Sequence, residues 1–262
     1  MSPAIDKRRA ALYSAVGLAG IIIIWWVAAL TVLADARVPT PGGVVRAMVE
    51  DGFGFYWQHF SVTIQEAAIG FFWGNLVAVL LASLVLILPW TERLITQIAV
   101  ISYCIPIVAV APVLYIVIGP PATGEPSGTA VALAVLAVFF TTVVGTLLGL
   151  KSADPASLDV VTVYGGSRLT QLRKVRLIAA LPSILNALQI AAPAALLGAI
   201  LGEYVGGVRQ GVGLALIIAQ QNLDVERAWA IGLLCALVAG GAYAIFGLIG
   251  KVAAPWSKGA AV

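Results

Sequence analysis

Six long apolar runs constrain this chain more than any other feature. They cover about 12–33, 62–88, 94–118, 129–150, 182–205 and 228–250, and almost every polar or charged cluster falls between them. A bilayer core about 30 Å thick is crossed by roughly 20 apolar residues in an α-helix, so each run is long enough to span. Backbone polar groups in hydrocarbon are satisfied only inside helices or closed barrels. A barrel needs short strands of alternating hydrophobicity, and the runs show no such alternation. The expected fold is therefore all-α: a polytopic membrane protein with six transmembrane helices.

Composition closes off the other classes. Of 262 residues, 61% are hydrophobic and 10% charged, whereas a soluble domain carries about 25% charged residues. A chain so poor in charge cannot cover a water-facing surface of this size, which excludes a soluble enzyme, a disordered protein and a nucleic-acid binder. The formal net charge of +3 matters less than where the charges fall. With the N-terminus inside and six alternating spans, inside segments hold Lys7, Arg8, Arg9, Arg93, Lys151, Arg168, Arg173, Lys174, Arg176, Lys251 and Lys258. Outside segments hold Arg37, Arg46, Arg209 and Arg227. This excess of inside cations satisfies the positive-inside rule and puts both termini in the cytoplasm.

The first run follows Lys7-Arg8-Arg9 and precedes Ala34-Asp35-Ala36, which imitates a small-x-small cleavage site. A secretory signal has an apolar region of about 7–15 residues; the run 12–33 is longer and reads as a retained span. The chain divides into a tail and first helix (1–37), an external amphipathic segment (38–61), a five-helix core (62–250) and a cytoplasmic tail (251–262). The external segment opens with Pro39-Thr40-Pro41-Gly42-Gly43 and continues as a short helix over 44–50. Phe53, Phe55, Tyr56, Trp57 and Phe60 follow it, as an interfacial aromatic belt would. Cys104 and Cys235 lie inside runs without metal-like spacing and read as buried hydrophobes.

The most informative connection is the inside segment 151–181, too long for a simple turn. Asp154-Pro155 is an N-cap followed by a first-turn proline, so a short helix can run from there to Tyr164. Gly165-Gly166 ends it, because glycine tolerates the positive φ of a helix stop. Ser167 caps a second, basic helix that leads to Leu181-Pro182 and the fifth span. Such a helix-break-helix element can transmit a push from a soluble partner, or can rest on anionic lipid through Arg168, Arg173, Lys174 and Arg176. The residues alone leave both readings open.

At this loop the sequence resembles the integral membrane permeases of type I ABC importers, known as binding-protein-dependent transport inner membrane components. Their loop carries Glu-Ala-Ala, three residues, Gly, nine residues, Ile, any residue, Leu-Pro. Here Asp159-Val160-Val161 stands at the first position, Gly165 is the glycine, Val175 takes the isoleucine place, Leu177 matches and Ile178 replaces the proline. The entry Pro39-Thr40-Pro41-Gly42, the stretch from Thr63 to Gly70-Phe71 and Gly211-Val212-Gly213-Leu214 resemble the sulfonate/taurine/nitrate permease group more closely. Glu66 departs from that group, which usually has arginine there.

The resemblance implies that the short helix is a coupling helix docking in a cleft of an ATPase, with Ala156, Asp159, Val160, Val161, Tyr164, Gly165 and Gly166 at the contact. It also implies two ABC ATPase subunits, a second permease copy (identical or different) and an extracytoplasmic substrate-binding protein. The solute would be a sulfonate, taurine, nitrate or a pyrimidine or flavin vitamin precursor. No Gly-x4-Gly-Lys-Ser/Thr phosphate loop occurs: Gly250-Lys251 is followed by valine and lacks the upstream glycine. This chain is thus expected to be non-catalytic and to bind no cofactor, with ATP and magnesium on the partner ATPase.

Polar residues inside spans are expensive in lipid and should face protein or water. Asn186 and Gln189 lie one turn apart and share a helix face; they either line the translocation path or bond to a neighbouring helix. Glu203 near the outer end either answers Arg209 or gates entry. Gly145, Gly149, Gly198, Gly202 and Gly206 recur at a spacing suited to close helix packing. A stand-alone secondary transporter or channel is the competing class, but such carriers often show charged midplane residues that are scarce here. A membrane-embedded enzyme would need a catalytic cluster, and the chain has one histidine, His59.

Overall fold

The computed structural model describes residues 3–31, 37–122 and 125–256, and every regular element among them is helical. The motif at Ala34-Asp35-Ala36, the end of the first apolar run and Lys258 of the tail lie outside the described residues. In chain order the helices are α1 (Pro3–Leu30), α2 (Pro41–Ile87), α3 (Glu92–Cys104), α4 (Ile107–Ile118), α5 (Gly128–Lys151), α6 (Pro155–Val163), α7 (Arg168–Gln171), α8 (Leu177–Val205), α9 (Val212–Gln221) and α10 (Val225–Ala253). Five stretches are long and apolar enough to cross a bilayer, in α1, α2, α5, the α7–α8 rod and α10. The run 94–118, expected as one straight span, is a bent pair: α3 and α4 meet at 97°. Pro106 explains the break, since it disfavours helical backbone at Ile105, which is extended (φ −73°, ψ 123°). Counting the bent pair as one crossing gives six spans.

The chain forms two compact units. The first comprises residues 1–57 and 215–234. Within it Trp25 of α1 stacks on Trp229 of α10 with ring centroids 5.3 Å apart, and its Nε1 donates to Pro39 O at 3.0 Å. Thr40 caps α2, its Oγ1 accepting from Gly43 N at 3.1 Å, and Pro41 follows at the first helical position. The helix breaks locally at Gly52, where φ is +73° and ψ 161°. Just before that break Asp51 accepts from Tyr56 Oη at 2.9 Å and pairs in bidentate fashion with Arg227 (Nε to Oδ2 2.9 Å, Nη2 to Oδ1 2.5 Å). Phe53 and Trp57 stack and stay exposed, as interfacial aromatics do.

The second unit, residues 58–214 and 235–262, holds the core. Its centre is the antiparallel pair α5–α8, which meet along most of their length. The glycine stripe predicted for close packing serves that contact. A Cβ at Gly145 would lie 2.6 Å from Ala187 Cβ, and one at Gly198 2.7 Å from Leu133 O and 2.8 Å from Ala134 Cα. Backbones this close gain dispersion contacts that lipid tails cannot supply, which drives helix association where the hydrophobic effect is absent. Ala78, Ala82, Val85, Phe139, Val143, Leu147 and Leu150 continue the core toward the Lys151 end, with Ile95 and Ala99 of α3 against them. Asn75 and Thr142 satisfy each other inside this packing, so Asn75 is a helix-to-helix bond. Cys104, expected to be buried, is exposed at the end of α3.

Candidate functional site

The connection between α5 and α8 is built by local chemistry. Asp154 caps α6, Oδ2 accepting from Ser157 N at 3.0 Å and from Ser157 Oγ at 2.9 Å, with Pro155 at the first helical position. These bonds favour the ionised carboxylate and hold its pKa below the usual aspartate value. The helix stops at Tyr164, and Gly165 follows with φ +78°. Gly166 N donates back to Val161 O at 2.8 Å, closing the turn. Ser167 opens the next helix, its Oγ accepting from Thr170 N at 3.4 Å.

From Arg168 the chain does not stop at Pro182 and restart; it runs as one rod of 38 residues to Val205, about 57 Å at 1.5 Å per residue. One turn of the rod, Leu172–Arg176, is π-helical, a wider turn frequent at functional sites. The α6 helix is fastened to this rod. Gln171 Nε2 donates to Thr162 Oγ1 at 2.8 Å and to Leu158 O at 3.3 Å. Two further ties anchor the base: Arg176 Nη1 donates to Leu150 O at 3.0 Å, and Lys151 Nζ pairs with Glu92 Oε1 at 2.6 Å.

No residue of α6 is buried. Ala156, Asp159, Val160 and Val163 fall at helical spacing on one exposed face, continued by Tyr164 at the cap; Val163 and Tyr164 are 83% and 87% exposed. Of the residues singled out in the sequence, Val161 lies on the other side: it is half-buried, and a Cβ at Gly166 would meet its side chain and, at 2.7 Å, its carbonyl oxygen. Val163, seven residues after Ala156, completes the exposed face.

Asn186 and Gln189 do come together. With Tyr243, Gly247 and Lys251 of α10 and its end, they line a cavity of about 520 Å3 in the second unit. Gly247 leaves room for Gln189, whose Nε2 would lie 2.6 Å from a Cβ there. Glu203 is not part of this cavity. It lies 17 positions further along α8, about 25 Å away, buried with its carboxylate accepting from Thr63 Oγ1 at 2.5 Å and Gly213 N at 2.7 Å. Among the described residues no group of three or more His, Cys, Asp or Glu side chains is arranged to hold a metal.

Comparison with known proteins agrees with this architecture. Residues 74–258 match the family described as binding-protein-dependent transport system inner membrane component. A probable ABC transporter permease protein of Haemophilus influenzae is 31% identical over 215 residues, covering 81% of this chain and 85% of the relative. The formylaminopyrimidine transport permease protein ThiX of Halalkalibacterium halodurans is 25% identical, covering 91% of this chain and 93% of its own. The riboflavin transport system permease protein RibX of Chloroflexus aurantiacus is 26% identical, with 90% and 87% covered. With five to six membrane-crossing helical elements among its described residues, and matched over most of its length, the chain belongs to the inner membrane permease family of binding-protein-dependent ABC transporters.

Proposed function

We propose that this chain forms half of the translocation path of an ABC importer and that α6 is the element gripped by a separate ATPase. The observation that carries the reading is the exposed face of Ala156, Asp159, Val160, Val163 and Tyr164 on a helix fastened through Gln171 to a membrane-crossing rod. A push on that face moves the rod as one body, because the rod is continuous and α6 is capped at its start. The ATP and magnesium belong to the partner ATPase pair. Both termini and the α6 loop face the cytoplasm, as the distribution of lysine and arginine supports.

A second permease copy completes the path, facing the cavity of Asn186, Gln189, Tyr243 and Lys251. The solute arrives on an external binding protein. Two amides, a phenol and one ammonium group suit a small planar solute rich in hydrogen-bonding groups. Relatives are named for formylaminopyrimidine and riboflavin transport and also for aliphatic sulfonate and taurine transport, so the choice of a pyrimidine or flavin precursor rests on these cavity groups.

The test is reconstitution of the permease with its ATPase and binding protein in vesicles. Uptake of a labelled pyrimidine precursor should require ATP and should fall at least tenfold in Val163→Asp, with membrane insertion intact. Uptake without any ATPase would favour a stand-alone carrier, and transport of taurine alone would overturn the solute class.

A further inference from the structure

At the end of α5 away from Lys151, two acids meet inside the second unit. Glu66 of α2 and Glu203 of α8 are each 1% exposed, and Thr63, one turn before Glu66 on α2, bonds Glu203, which brings both acids into one buried pocket. Both oxygens of Glu203 are taken: Oε1 by Thr63 Oγ1 at 2.5 Å and Oε2 by Gly213 N at 2.7 Å. Glu66 Oε1 accepts from Ser127 N at 2.6 Å. Glu66 Oε2 is buried and accepts from no donor.

Two carboxylates in one apolar pocket cannot both ionise, since each charge raises the cost of the other. Either a cation or a proton has to sit between them. Among the described residues neither acid is in an ion pair with lysine or arginine. The oxygens themselves argue against a metal. Three of the four already accept N–H or O–H donors, leaving one, whereas hard cations such as calcium take about six to eight oxygens.

Donor counting then assigns the charge. Glu203 receives two donors, Gly213 N and Thr63 Oγ1, whose single proton favours Oε1 at 2.5 Å over His59 O at 3.2 Å, an arrangement that stabilises an anion; Glu66 receives one. A buried oxygen without a donor is costly as a carboxylate and at ease as a hydroxyl, provided that an acceptor is at hand. We infer that Glu66 and Glu203 form a buried proton-binding pair that holds one proton, carried on Glu66 Oε2 and shared toward an ionised Glu203.

The neighbourhood fits a site that exchanges with water. Glu66 also lines a cavity of about 320 Å3 with Gln65, Glu125, Arg209 and Gln210, so its proton need not cross the apolar core. His59 of α2 is engaged with the Gly211 backbone (Nδ1 to O 2.9 Å). The pair joins four elements: α2 through Thr63 and Glu66, the start of α5 through Ser127, the end of α8 through Glu203, and the start of α9 through Val212 and Gly213. Losing the proton would set two like charges at the point where these helix ends converge. This inference does not depend on the solute or on the α6 contact.

Infrared spectra of the full transporter in lipid, in H2O and D2O, test it. The wild type should show a deuterium-sensitive stretch of a protonated carboxyl that disappears in Glu66→Gln and persists, shifted, in Glu203→Gln. The amide introduced by Glu66→Gln reproduces the shape and donor of the protonated acid. That variant should therefore fold, melt with the wild type at neutral pH, and lose the wild type's destabilisation at alkaline pH. A spectrum unchanged by Glu66→Gln would overturn the proposal, as would failure of that variant to fold. A wild-type melting point that rises with added sodium or magnesium but does not rise in Glu66→Gln would replace the proton with a cation.

Discussion

Gln171 donates to Thr162 across the Gly165-Gly166 turn at 2.8 Å, joining a nine-residue surface helix to a 38-residue helix that crosses the membrane. The same amide reaches Leu158 O at 3.3 Å. Without these bonds α6 is tied to the rod mainly by the turn itself. Gln171→Leu removes both at a stability cost of about 1 kcal/mol, typical of a partly exposed hydrogen bond. Its effect on coupling should be larger: in reconstituted vesicles, ATP hydrolysis persists while uptake per ATP falls several-fold. Equal uptake per ATP in variant and wild type would mean that the latch transmits nothing.

Gly165 acts through its backbone alone. Its φ is +78°, and a Cβ there would have nothing within 4 Å. Gly165→Val must therefore hold a β-branched residue in left-handed backbone, a strain of about 1–3 kcal/mol, or else change the angle between α6 and the rod. Uptake should be lost in Gly165→Val and largely kept in Gly165→Asn, since asparagine tolerates this region. Insertion should be normal in both, checked by protease accessibility of the loop. Loss of uptake in both variants would point to a requirement for bare backbone at the contact.

The caps of α6 are legible in the sequence because they are local: Asp154-Pro155 and Gly165 act within four residues of themselves. The register of α6 on the rod is not, because it is set by the contact of Gly166 with Val161 and by Gln171 from the following helix. That is why the sequence does not reveal that Val161 sits half-buried against the turn. The bend between α3 and α4 hides in a largely apolar run, where hydropathy gives length but no direction; of its two prolines Pro106 marks the break, while Pro112 lies inside α4. The meeting of Thr63 with Glu203, 140 positions apart, follows from the packing of α2, α5 and α8 and from no spacing in the sequence.

Asp154 gives α6 a pH dependence of known sign. Its folded pKa is lowered by the bonds from Ser157, so the stabilisation is fully present above the unfolded aspartate value. It fades as pH falls through that value and the lower folded one. Amide exchange over 156–160, normalised to an unstructured peptide, should rise in acid for the wild type. In Asp154→Ala it should start high and stay flat across the same range. An acid response that survives in the variant would assign the effect to another group.

The bidentate pair in the first unit is asymmetric. The Asp51 side chain is 6% exposed and that of Arg227 31%. Removing the arginine strands a carboxylate with little access to water, whereas removing the aspartate leaves a cation that can reach it and that still has Asp224 Oδ2 at 3.1 Å. Breaking a fully buried pair costs about 3–5 kcal/mol; with Arg227 partly in water, about 2 kcal/mol is expected for Arg227→Met. Asp51→Asn should cost less, because the amide keeps Tyr56 as a partner. Melting curves of the purified protein in detergent order the two, and a larger loss in Asp51→Asn would reverse the assignment.

Close approach of α5 and α8 predicts where the fold will not accept a side chain. At Gly198 an added Cβ meets three backbone atoms of one α5 peptide, Leu133 O at 2.7 Å, Ala134 Cα at 2.8 Å and Ala134 N at 2.9 Å, and backbone cannot rotate away as a side chain can. Gly198→Val must push the helices apart over the whole contact, a cost of at least about 1–3 kcal/mol. Gly240 on α10 is the control, with nothing within 4 Å; Gly240→Ala should melt with the wild type or slightly above it. The rod that carries α6 is the same α8 that Gly198 seats against α5. Gly198→Val should therefore lower the melting point and uptake together, whereas in Gly165→Val, where a change in the α6 angle can relieve the strain, uptake should be lost without a matching fall in the melting point. Finding that Gly198→Val spares both would mean that the two helices can separate without loss, and α8 could not then act as a rigid rod.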